Sequence, residues 1–115
     1  MTTTGVTVTK ELLIRSYEML KLTRPFNRWN LPDSCNVKFH VLKTEGHSGD
    51  HFRDEKGVDH IRLSEKKHAT LNTIIQTVAH EMCHMKDETK AMHGKRWHKL
   101  ADSVCKYHGF YRGQF

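Results

Sequence analysis

Long apolar runs are missing from this sequence. No stretch approaches the roughly 18 residues that a membrane-crossing helix needs, and with a mean hydropathy of −0.70 the expectation is a soluble chain with no membrane partner. Cysteine is scarce: Cys35, Cys83 and Cys105 are odd in number and widely spaced. That excludes a disulfide framework and points to a reducing, cytoplasmic compartment. No Cys-x-x-Cys occurs, so a four-cysteine zinc ribbon is excluded as well. Met1 to Gly5 lacks the basic and apolar segments of a secretory signal. Acidic residues are the minority, 13 Asp+Glu against 19 Lys+Arg, for a net charge of +6. A length of 115 residues fits one domain, 1–115, with a single modest core.

What the chain has in excess is histidine, ten residues in all. Their setting follows from periodicity. Residues 1–9 are Thr-rich and read as a frayed tail or an edge strand. Lys10 to Leu22 reads as a helix with Leu13, Tyr17 and Leu20 as its stripe, widened by Leu12 and Leu22. Thr9 is its candidate N-cap, and Pro25 follows its end. Val37 to Leu42 alternates as a strand. Gly46 to Gly57 reads as a turn plus one short strand, and Val58 to Leu63 as another strand. Leu71 to Met85 is a second helix behind Thr70, with a stripe of Leu71, Ile74, Ile75, Val78 and Met82. Gly94 to His108 is a third, with Trp97, Leu100, Ala101, Val104 and Cys105 on one side and Gly109 after its end. Helix, strands, helix, helix predicts an α+β fold with a two- or three-stranded antiparallel sheet.

On the second helix lies His80-Glu81-Met82-Cys83-His84, an H-E-x-x-H pattern. Two histidines four apart project from one side of a helix, which suits two imidazole ligands of one zinc. The glutamate beside the first is placed to act as general base on a metal-bound water. A shuffled chain of this composition gives roughly 0.05 such matches, so context carries the weight. On a helical wheel His80, Glu81 and His84 gather opposite the apolar stripe, below Thr70, Thr73 and Thr77. The third ligand is left open between His93 and His98, because no Glu follows Glu88 and Lys90 stands where a metzincin has its third histidine.

The run from Ile61 to Phe110 resembles the SprT-like (Spartan-type) zinc metalloprotease domain. Ile61-Arg62-Leu63-Ser64, His80-Glu81-Met82-Cys83-His84 and His93-Gly94-Lys95-Arg96-Trp97-His98 carry the likeness. The last matches the family's His-Gly-x-x-Phe/Trp pattern. The resemblance implies a small zincin-like domain with an active-site helix. It implies Zn2+ held by His80, His84 and His93, with Glu81 activating its water for peptide-bond hydrolysis. The loop from His84 to His93 is shorter than in the longer relatives, and their C-terminal zinc ribbon is missing.

The remaining residues have plainer readings. His98 is a neighbour of the ligands rather than one of them. His98, Tyr107 and Tyr111 are candidates for stabilising the oxyanion. His40, His47, His51, His60, His68 and His108 read as solvated or strand-face residues, with His40 or His60 a candidate for the cleft wall. Cys83 and Trp97 read as core. Basic residues between Lys86 and Lys99 would place positive charge at the rim of the site, which suits DNA-associated protein substrates and a possible DNA contact through the domain's own surface. The alternative is a non-enzymatic DNA-associated module with a structural zinc.

Overall fold

The computed structural model describes residues 6–43, 47–65, 70–87, 89 and 93–115. Lys10–Lys21 forms α1, and Thr9 Oγ1 accepts from Leu12 N at 3.1 Å to cap it. Leu13, Tyr17 and Leu20 are fully buried along its inner side. Each such side chain contributes roughly 1.5–3 kcal/mol on leaving water. Leu22 is 81% exposed and does not extend the stripe, because the helix has ended one residue earlier. Val6 to Thr9 form no strand, although Val8 joins the core. Residues 1–5 lie outside the described residues, as does His68.

Val37–Leu42 is β1, Gly49–Arg53 is β2 and Asp59–Ser64 is β3. The sheet is mixed, not antiparallel. Its order is β1-β3-β2, with β1 parallel to β3 and β2 antiparallel to it. β2 and β3 make a hairpin through a turn at Asp54, whose carboxylate accepts from Lys56 N at 2.9 Å and Val58 N at 3.0 Å. Gly57 supplies the positive φ of 80° that this turn requires. Burial explains the order: Asp59, Ile61, Leu63 and Ser64 are all buried, so β3 takes the centre, and β1 lies along its free edge. Alternation tells which side of a strand faces the core but not which neighbour it has.

Leu71–Lys86 is α2 and Lys95–His108 is α3. Thr70 and Thr73 cap α2 reciprocally: Thr73 N donates to Thr70 Oγ1 at 3.2 Å, and Thr70 N to Thr73 Oγ1 at 3.3 Å. Such a box is worth about 1 kcal/mol. Leu71 is 44% exposed and lies outside the stripe, while Ile74, Val78 and Met82 are fully buried. α3 starts at Gly94 and ends at Gly109, which has φ 74°. One core runs through α1, the sheet, α2 and α3. α2 touches α1, α3, β2 and β3, so it is the central helix. Among the described residues no helix is long and apolar enough to cross a membrane.

Candidate metal centre

Helical spacing sets the first two ligand candidates. His80 and His84 stand one turn apart on α2, with ring centroids 5.1 Å apart. Their side of the helix does point away from the Ile74, Val78, Met82 stripe, but it does not face solvent. β2 and α3 cover it, and Glu81 is only 4% exposed.

The third candidate arrives by a tied loop. Asp87 closes α2, its N–H donating to Cys83 O at 2.9 Å. Its buried carboxylate accepts from Thr89 N at 3.1 Å and Thr89 Oγ1 at 2.7 Å, and it faces Arg96 of α3 at 3.8 Å. The chain then places His93 at φ 51° immediately before Gly94. A left-handed histidine costs about 1–2 kcal/mol, and such strain gathers at functional positions.

The result is a convergence of three nitrogens. His93 Nε2 lies 3.1 Å from His84 Nε2 and 3.2 Å from His80 Nε2. The ligand atoms of all three residues fall within 4.8 Å of one another. Tetrahedral zinc with N ligands at its usual bond length separates them by about 3.3 Å. Phe115 O takes the proton of His80 Nδ1 at 2.6 Å, which leaves Nε2 bare and aimed at the other two. Three imidazoles turned inward in this way suit a cation between them. Trp97 forms the floor, with its ring centroid 4.8, 5.4 and 4.5 Å from those of His80, His84 and His93. Trp97 is therefore both core, as expected, and a wall of the site.

Glu81 lines the clefts on both sides of His80. Among the described residues nothing hydrogen-bonds its carboxyl. Burial, and then the negative charge of Asp50, push its pKa up to about 8. Burial first, and then the rings of His80, His93 and His51, lower His84 to about 4 against a raising effect of Asp87. A buried carboxyl without a partner beside three converging imidazoles fits a metal with an open position and a water next to it. Two clefts meet here. One, of about 210 Å³, lies between Ser48, Gln76, Thr77 and Gln114. The other, of about 570 Å³, runs along β2 past His84 and His93. Gly49 belongs to both, and a Cβ there would lie 2.7 Å from Arg62 O, so only glycine lets β2 lie this close to β3.

Other expected residues fall elsewhere. His98 is outside the ligand group: it is exposed, and its Nδ1 accepts from Arg112 Nη2 at 2.6 Å. Tyr107 and Tyr111 are exposed and line neither cleft. His40 and His60 face away from the metal cleft, stacked together on the outer side of the sheet. His108 is not solvated but packs near Phe26 and pairs with Thr23 Oγ1 at 2.9 Å. Lys86 turns to Trp29 O at 3.3 Å, and near the start of α3 Lys95, Arg96 and Lys99 are exposed, Arg96 facing Asp87. Lys90 lies outside the described residues.

His51 was not singled out by its sequence, yet it stands in the cleft wall with Nε2 2.7 Å from the buried Asp59. Its place in a short β2 strand facing α2 is the only signal that could have marked it. No family model matches the chain, and no curated protein matches it.

Proposed function

We propose that this chain is a zinc-dependent metallopeptidase of the SprT-like, zincin type. The observation that carries the reading is the convergence of His80, His84 and His93 Nε2 beside the unpartnered Glu81 carboxyl. Three candidate ligands among the described residues, rather than four, favour a catalytic over a closed structural site. A zinc ion bound there would supply a Lewis acid for the scissile carbonyl and would acidify a water.

The chain's own residues do the rest. Phe115 O holds the His80 ring in one tautomer. Trp97 shields the imidazoles from below. With a cation's charge beside it to bring its raised pKa back down, the Glu81 carboxylate would take a proton from the attacking water and return it to the departing amine nitrogen. The cleft along β2 receives the polypeptide. The substrate class, protein associated with DNA, rests on the resemblance and on the +6 charge.

The test is Glu81→Gln. Zinc content is expected to stay at the wild-type level while cleavage of a protein substrate, assayed with and without DNA, falls by about 10²–10⁴. Cleavage that survives the change overturns the role of Glu81. A zinc-loaded wild type that cleaves nothing favours the non-enzymatic module with a structural zinc.

A further inference from the structure

The sheet has two edges. β2 borders the metal cleft, and β1 is the other edge, with β3 its only strand partner among the described residues. Beside β1 runs a groove of about 620 Å³ between this strand and the start of α1. Its floor is apolar, with the half-buried Ile14 and Val58 at the surface and the buried Val37 and Phe39 beneath them. Its charged groups are all cationic or basic: Lys10, Lys38 and His40, with no carboxylate in the lining. Burial, then His60, and then the charges of Lys10, Arg62 and Lys38 hold the His40 pKa down, so both lysines stand near its ring. His40 is fixed in place, its Nε2 2.9 Å from His60 Nδ1, while His60 Nε2 reaches Asp54 at 2.8 Å. Lys10 is also the first residue of α1, so the positive end of that helix dipole adds to the potential.

We propose that this groove binds an acidic peptide segment in extended conformation, added as a strand to the free edge of β1. Strand addition satisfies the unpaired backbone groups of an edge. In a strand, successive side chains point to opposite sides. A segment alternating apolar and acidic residues therefore places one set on the Ile14 and Val58 floor and the other against Lys10, Lys38 and His40. A nucleic acid fits less well: the phosphates would find cations, but no exposed aromatic ring lines the groove to stack a base, Phe39 being 2% exposed. The surface lies across the sheet from the metal centre, so it stands whether or not the peptidase reading does.

A fluorescein-labelled ten-residue peptide alternating Val and Glu tests this by anisotropy, with 15N spectra of the protein alongside. Saturable binding is expected, with amide shifts concentrated in Val37 to Val41. Lys10→Glu combined with Lys38→Glu should weaken binding at least tenfold, and the single Lys38→Ala variant serves if the double variant melts early. N-methylation of alternate peptide nitrogens should abolish binding in one parity and spare it in the other. No binding at millimolar peptide, equal binding of a Val/Lys peptide, or tolerance of both methylation parities overturns the proposal. So does an oligo-dT strand that binds more tightly and depends on the same two lysines, which would make the groove a phosphate surface.

Discussion

Burial acts on Glu81 and His84 by the same physics and moves their pKa values in opposite directions, because it disfavours whichever form is charged. Glu81 titrates at about 8 when folded and near 4.5 when unfolded, so the metal-free fold binds the extra proton between these values and loses stability as pH rises through them. His84 titrates at about 4 when folded and 6.5 when unfolded, and His80 is lowered too, so their contribution is complete above 6.5 and is lost as pH falls toward 4. Below 6.5 the lowered histidines, His40 and His108 among them, oppose Glu81, and as pH rises past the unfolded histidine value the effect of Glu81 is left to dominate. Urea denaturation in the presence of chelator should therefore show a stability maximum near pH 6.5. The alkaline side should fall by about 1–2 kcal/mol before pH 8, and Glu81→Gln should flatten it. At the same scale, His93→Ala should lower zinc stoichiometry and His98→Ala should leave it largely intact. The reverse result would shift the third ligand by five residues. That His80, His84 and His93 come together was legible because H-E-x-x-H and His-Gly are local patterns. Phe115 and His51 were not, because Phe115 meets His80 only through a contact 35 residues back along the chain and His51 reaches the cleft only once β2 packs against α2.

At the scale of elements, the turn Arg112–Gln114 braces the helix that carries His80 and His84. Arg112 Nε donates to Asp102 at 2.7 Å, its Nη2 to His98 Nδ1 at 2.6 Å, and its guanidinium lies over Trp97 at 5.5 Å. These contacts hold the backbone that offers Phe115 O to His80. Arg112→Ala should weaken zinc binding by roughly 10–100-fold, measured by chelator competition. In the metal-free protein it should also convert His80 from a single Nδ1–H tautomer to a mixture, read from its ring 15N shifts. A merely destabilising change would leave that tautomer signature alone. Helix ends were legible, since Thr9, Thr70 and Gly109 carry local capping chemistry. Strand neighbours were not, since Val37 to Leu42 alternates in the same way whether its partner runs parallel or antiparallel.

For the whole molecule, one core spans all three helices and the sheet, and the candidate ligands join α2 to the chain before α3. An ion bound only by the folded state stabilises it by mass action. Zinc at a hundred times its dissociation constant should raise the melting temperature by roughly 10 °C, and EDTA should reverse the shift in scanning calorimetry. His80 and His84 are held rigidly by a buried helix, whereas His93 is exposed and sits at φ 51° on the connecting loop. An ion held by all three would therefore rest on two imidazoles fixed to one buried helix and on a third that is exposed and outside any helix, which makes the His93 side the open flank of the site.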